Sequence, residues 1–363
     1  MKRTLLLMAV LLTLLLGWLF FAPVDVEPVA WTAPDDAGFT GEYAPNDVLA
    51  SVERIAVPDG HGPEDVDVDA AGRIYAGLHD GRVLRWSSPE AAPEVFADTG
   101  GRPLGLHWDA SGNLLIADAD AGLLSVSPDG NVTTLLTAVD GQPMRFTDDL
   151  EVTNAGVIYV SDASTRFGLQ HWKHDILESR PSGRLLAHDL QTGRSWVALE
   201  HAYFANGVAV DPQQQFVLLS ETSRYRIRKI WIAGEQAGRD EILLENLPGF
   251  PDGISAGTGG LFWLAIAGPR DAIVDLTADM PWLRRAIARL PEWIQPAPRR
   301  YGHVVGLDGE GRVRCSLQHP SGERFAIITS VQERDDWLYL GSLTEPALAR
   351  IRVPDRCREA AEG

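Results

Sequence analysis

The sequence predicts an all-β fold: a six-bladed β-propeller behind an N-terminal membrane-anchor helix. Two observations carry the propeller. A short phrase recurs six times, as Pro63-Glu64-Asp65, Pro103-Leu104-Gly105, Thr147-Asp148-Asp149, Ala205-Asn206-Gly207, Pro251-Asp252-Gly253 and Ile328-Thr329-Ser330. A β-rich run follows each copy: Arg73–Ala76, Leu114–Ala117, Val157–Val160, Phe216–Leu219, Leu261–Leu264 and Trp337–Leu340. Repeats of roughly 40 to 60 residues built from short strands mark a propeller. A third observation carries the anchor. Lys2 and Arg3 precede an uncharged apolar run from Leu5 to Ala22, just long enough to span a bilayer as a helix.

The elements follow in chain order. Residues 1–22 read as a single-pass signal anchor. The basic residues before it and Asp25, Glu27, Asp35 and Asp36 after it place the N-terminus in the cytoplasm and the rest outside. A cleaved signal peptide is the competing reading. The bulky Trp18, Leu19, Phe20 and Phe21 at the end of the run, with Pro23 after Ala22, favour retention. Residues 23–46 hold Pro23, Pro28, Pro34 and Pro45 among acidic residues and read as an extended stalk off the membrane. The propeller occupies 47–355. Its lead-in, Val52 to Val57, is expected to add the outer strand to the last blade, whose own strands end at Leu348–Val353.

Turn residues sit where hairpins need them. Asp69–Gly72, Asp109–Gly112 and Asn154–Gly156 separate first and second strands, and Asp80-Gly81 and Asp129-Gly130 mark tight turns. Two insertions break the rhythm. Residues 164–181 bring His171, Trp172 and His174. Residues 269–300 contain a helical pattern from Met280 to Leu290, with Leu283, Ile287 and Leu290 on one face and Arg284, Arg285 and Arg289 off it. Such a basic amphipathic helix serves as a lid, as a contact with lipid, or as plain packing on the propeller.

Composition narrows the function. The 363 residues are 45% hydrophobic, ample for a large core, and the formal charge of −18 argues against nucleic acid, whose phosphates need a basic patch. The two cysteines, Cys315 and Cys357, fit no zinc or CxxC spacing and are placed to pair or to remain free thiols. There is no GxSxG elbow and no HExxH.

Equivalent positions on innermost strands face one axis, so the middle residues of the phrase form a set: Glu64, Leu104, Asp148, Asn206, Asp252 and Thr329. Glu64, Asp148, Asn206 and Asp252 are hard oxygen donors, the kind that bind Ca²⁺ rather than Zn²⁺. Asp65 and Asp149 are placed to support them. A calcium ion with open positions polarises a carbonyl, and a neighbouring carboxylate acts as base or nucleophile. Asp252 is the first candidate for that catalytic role and Glu64 the second. A purely structural ion plugging the channel is the competing reading.

Several longer phrases, Gly101–Gly105, Phe204–Val208, Ser220–Ile227, Leu247–Asp252 and Trp337–Ser342, resemble the strictosidine synthase-like family over residues 50 to 353 or so. The resemblance implies six blades and kinship with paraoxonases, gluconolactonases and regucalcin, whose channel calcium supports hydrolysis of lactones and esters. It implies metal ligands at Glu64, Asp148, Asn206 and Asp252, with Asp148 in place of the usual Asn. Thr329 stands where the condensing enzymes carry a catalytic Glu, and Leu104 where paraoxonases carry a His. The expected function is therefore a calcium-dependent hydrolase of a small-molecule ester or lactone. The alternatives are a noncatalytic propeller with structural calcium and, disfavoured by Thr329, a condensing enzyme that would need another carboxylate, such as Glu333, in the pocket.

Overall fold

The structure is a computed structural model and describes residues 1–362. Six four-stranded antiparallel sheets follow one another along the chain as blades, each with its first strand innermost. The innermost strands are Val66–Val68, Pro103–Trp108, Thr147–Val152, Ala205–Val210, Gly249–Ala256 and Ile328–Arg334. The ring closes as expected. Glu53–Ala56 pairs antiparallel with Ala347–Arg352, Ile55 opposite Leu348, and completes the sixth blade with a strand from the other end of the propeller. Fully buried apolar side chains fill the space between blades. Leu115, Leu123, Ile158 and Leu186, for example, form one cluster across blades 2 and 3.

The repeated phrase has a local structural cause. In blades 2 to 6 the register between the first and second strands shifts across the phrase. In blade 4 Ala205 pairs with Glu221 and Val208 with Leu219, so an extra residue bulges out at Asn206-Gly207. A bulge bends the strand and re-aims a side chain, here toward the axis. In blades 4 and 5 the residue after the middle one must be small. A Cβ on Gly207 would lie 2.3 Å from the Asp252 carbonyl oxygen, and one on Gly253 2.5 Å from that of Thr329.

Helix α1 spans Lys2–Phe21, with none of its residues buried, and is long and apolar enough to cross a membrane. Residues 23–46 are extended apart from one helical turn at Gly41–Tyr43, and they do not stand free of the propeller. Val26 is fully buried against Phe167, Leu177 and Ile287. The Trp31 N–H donates to the Ala278 carbonyl at 3.0 Å, Arg270 donates to the Pro34 carbonyl at 2.7 Å, and Phe39 stacks on Tyr301. The proline-rich composition predicts extension; the apolar Val26, Trp31 and Phe39 within it turn the stalk into a strap.

The insertions form short helices: α2 (Trp172–Glu178), α3 (Ala272–Leu276) and α4 (Pro281–Ala288). Helix α4 has Met280 at its N-cap and Pro281 in its first turn. The face assignment for Arg284 is corrected: this residue is fully buried. Its guanidinium donates to the carbonyls of Val274 (2.7 Å), Thr277 (3.0 Å), Leu177 (3.2 Å) and Ile176 (3.4 Å). Those carbonyls lie in the last turns of α2 and α3, where helices leave acceptors unsatisfied and favour positive charge. Arg284 is therefore a cap shared by two neighbouring helices. A final helix, α5 (Asp355–Glu362), follows the sixth blade; Cys357 within it is disulfide-bonded to Cys315 of blade 5.

Candidate active site at the propeller axis

All six middle residues of the phrase line the same two cavities on the axis. The upper cavity, about 120 Å³, is walled by Phe146, Phe204, Phe250, Leu169, Trp172 and Ile176 among others. The lower, about 30 Å³, adds Asp65, Asp149, His107 and Glu151 to its lining. Glu64, Asp148, Asn206 and Asp252 thus form the floor of an apolar chamber. Each is less than a tenth exposed.

Burial dominates the electrostatics. It pushes Glu64 up to about 7, with Arg102 opposing and Asp65 adding to the rise. It also lifts Asp148 and Asp252 well above the usual carboxylate range, and Glu64 raises both further. The Asn206 amide and the Gly253 N–H pull Asp252 partly back. Among the described residues no three His, Cys, Asp or Glu side chains converge tightly enough to hold a metal ion as they stand. Mutual repulsion of three buried carboxylates is a physical reason for their separation. The donor set itself fits a hard cation: it is all oxygen, it is shielded from bulk water, and each carboxylate is destabilised in its charged form by its neighbours.

The neighbouring aspartates act as braces. Asp65 accepts from Val66 N–H in its own blade (2.7 Å) and from Leu106 N–H in the next (2.8 Å). Asp149 does the same with Leu150 and Val208, both at 2.8 Å. Burial raises Asp65 to about 6 despite these bonds. Below them, His107 lies 2.9 Å from Glu151 and 3.9 Å from Asp67. Burial alone would lower this imidazole, but those carboxylates outweigh it and push it up to about 10.

The structure also places the other candidates. Thr329 donates to the Glu64 carbonyl oxygen at 2.6 Å, so it positions Glu64. Glu333 accepts from Thr258 (2.6 Å) and Trp263 (2.6 Å) and lines neither cavity, so no carboxylate takes the place of Thr329 there. His61 stacks on His79 and His171 on His174, and none of the four lines the cavities; their neighbours Trp172 and Lys173 do. Sequence reasoning missed the phenylalanine wall and the cation Arg102 beside Glu64. A signal was present: Arg102, Phe146, Phe204 and Phe250 each stand two residues before a middle residue, at the entry to the innermost strand of their blade. Phe204 and Ile327, at equivalent places, hold left-handed backbone (φ 54° and 52°), a conformation costing about 1–3 kcal/mol and concentrated at functional sites.

Comparison with known proteins decides the family. The model described as Strictosidine synthase-like, N-terminal matches residues 41–86, and that described as Strictosidine synthase matches 148–235. An adipocyte plasma membrane-associated protein of Rattus norvegicus is 32% identical over 96% of this chain and 99% of its own. The chain belongs to the strictosidine synthase-like family. Another member, strictosidine synthase-like protein 10 of Arabidopsis thaliana, is 33% identical over 85% of this chain and 91% of its own. Among solved structures, a gluconolactonase from Xanthomonas campestris superposes with TM-score 0.60 at 15% identity, covering 91% of this chain and 99% of that one. A calcium-binding regucalcin from Agrobacterium tumefaciens gives 0.57 at 14% identity, covering 80% and 92%. At such identities these show the shared propeller fold alone. The names of the membrane-associated relatives, together with α1, support membrane anchoring.

Proposed function

We propose that this protein is a calcium-dependent hydrolase of small esters or lactones. One observation carries the reading: four oxygen donors, Glu64 among them raising both Asp148 and Asp252, floor a cavity whose walls are apolar. Calcium at Glu64, Asp148, Asn206 and Asp252 would polarise the substrate carbonyl. The phenylalanine wall seats the apolar part of the substrate and excludes water. Asp252 takes a proton from the attacking water as its oxygen bonds to the carbonyl carbon, and returns it to the departing alkoxide as the C–O bond breaks. Its raised pKa suits a group that holds that proton between steps. Glu64 is the second candidate for the same role. The condensing alternative lacks its carboxylate at Thr329. The charges on either side of the apolar run support a propeller outside the cytoplasm, the bulky residues Trp18 to Phe21 support a retained anchor, and the Cys315–Cys357 bond suits an oxidising compartment.

The test is a panel of aryl esters and lactones offered with excess calcium and with excess chelator. Turnover is expected only with calcium. Turnover that persists in chelator sinks the metal-dependent mechanism. No turnover on any substrate, with melting temperature still falling on chelation, favours a noncatalytic propeller holding structural calcium.

Stability supplies an independent check. Glu64 titrates near 7 in the folded chain against an ordinary 4.5. Between those values the folded state binds more protons than the unfolded, so metal-free stability falls as pH rises through that window and stays lower above it. Asp148 and Asp252 shift in the same direction. Calcium at a hundred times its pH 7.5 dissociation constant should add about 2.7 kcal/mol at that pH, and the same concentration should add less at pH 5, because calcium binds the deprotonated ring. Melting curves that show the same calcium increment at both values would contradict this.

A further inference from the structure

We propose that the segment framing the cavity mouth, residues 271–298, is seated in the bilayer interface, so that the cavity opens onto lipid. The inference rests on reading α1 as a retained membrane span, and it stands apart from any hydrolytic activity. The 20 residues of α1 rise about 30 Å, the thickness of a bilayer's hydrocarbon core. Its Phe21 end therefore lies at one membrane surface. The chain does not lead away from the propeller there. Arg289 of the mouth segment donates to the Ala22 carbonyl at 2.6 Å and to the Leu19 carbonyl at 2.9 Å. The Phe20 and Trp282 rings lie 5.9 Å apart. Helix α4 is thus held at the depth of the last turn of the span.

The same segment turns large apolar side chains outward. Trp293 is 84% exposed, Leu276 71%, Trp282 60%, Ile273 51% and Ile294 47%. Its inner side, Val274 and Gln295 to Pro298, lines the upper cavity. The wall is therefore one layer thick, with the chamber on one side and unpartnered apolar groups on the other. Tryptophan concentrates at membrane interfaces, where an apolar ring and a polar N–H are both satisfied. The net charge of −18 offers no general attraction to anionic lipid, so apolar contact beside the tethered helix has to carry the docking. Continuity with α1 identifies the occupant as the bilayer rather than a second protein. A molecule with an apolar tail and a polar head would then pass from lipid to the carboxylate floor without crossing bulk water.

The full chain in phosphatidylcholine nanodiscs tests this, with a fraction of the lipid brominated on its acyl chains as a short-range fluorescence quencher. Cys315 and Cys357 are disulfide-bonded and no other cysteine exists, so an introduced thiol takes the fluorophore alone. Labels go on Leu276→Cys, Ile294→Cys, Leu14→Cys in α1, and Thr192→Cys. Thr192 lies in the turn after Gly183–Asp189, the far end of blade 3 from the cavity mouth. Labels at 276, 294 and 14 are expected to lose most of their emission while the label at 192 keeps its own. Quenching at 14 with 276 and 294 no more quenched than 192 overturns the seat alone. An unquenched label at 14 overturns it through the span on which it rests. Both results are independent of the ester and lactone panel. A label-free measurement guards against a label disturbing the fold: Trp293→Phe should remove part of the tryptophan emission that brominated lipid quenches, and an unchanged quenched fraction counts against the seat.

Discussion

Replacing Asp252 with asparagine is expected to lower ester or lactone turnover by about a thousandfold, the scale on which a positioned acid–base group contributes. The change is isosteric, so the bulge that presents the residue and the Gly253 contact behind it are kept. What is lost is the ability to hold a proton between attack and departure, together with one charge at the metal. The same substitution should raise the melting temperature of the metal-free protein near pH 7, because it removes a buried carboxylate that Glu64 destabilises. Loss of activity with a gain in metal-free stability is the signature of a site held at a cost to the fold. Turnover within threefold of wild type would remove Asp252 from the mechanism. Glu64→Gln is then the variant to measure, since that carboxyl, raised to about 7, faces the same cavity.

The second large effect belongs to a residue that lines neither cavity. Arg284→Met should destabilise the protein by about 3–5 kcal/mol, the range found when a buried charged partner is removed from groups that depend on it. Methionine keeps much of the volume, but four carbonyls at the ends of α2 and α3 lose the guanidinium; Thr277 still accepts from the Met280 N–H and Val274 from the Thr277 hydroxyl, whereas Ile176 and Leu177 lose the side-chain donor they have. Each buried acceptor left unpaired costs about 1–3 kcal/mol before relaxation. Burial already lowers the guanidinium to about 10, yet it remains charged at neutral pH. Because α2 and α3 carry Trp172, Ile176 and Val274 into the cavity wall, substrate affinity should weaken along with the melting temperature. Protease sensitivity should rise first within residues 164–181 and 269–300. A melting temperature within about 1 °C of wild type, with unchanged KM, would show that the two insertions hold together without the guanidinium.

The propeller was legible because its evidence is local and repeated. A strand, a turn and a phrase recurring six times need no knowledge of what touches what, and the closure by Glu53–Ala56 follows from an unpaired strand at each end of the repeat region. The ring of Glu64, Asp148, Asn206 and Asp252 was legible for the same reason: equivalent positions in equivalent blades must face one axis. Pairing of Cys315 with Cys357 stayed open, because it depends on α5, a helix with little apolar patterning to betray it. The strap's contacts and the burial of Arg284, placed off the apolar face, were not legible, since composition and helical spacing describe a segment's own preferences and say nothing of the surface that receives it.

The sequence by itself thus determined the blade count, the repeated phrase whose middle residue faces the axis, and the chemical identity of the oxygen-bearing side chains there. Tertiary structure alone decided which groups crowd those donors. It set Arg102 and Asp65 against Glu64, raised Asp148 and Asp252 through burial, and gathered phenylalanines from three different blades into one wall. It also brought the end of α1 against the segment that frames the cavity mouth. Local pattern is carried by backbone geometry and repeats with the chain. Desolvation and Coulomb interaction depend on distance through space, and residues more than a hundred positions apart become neighbours only once the ring has closed.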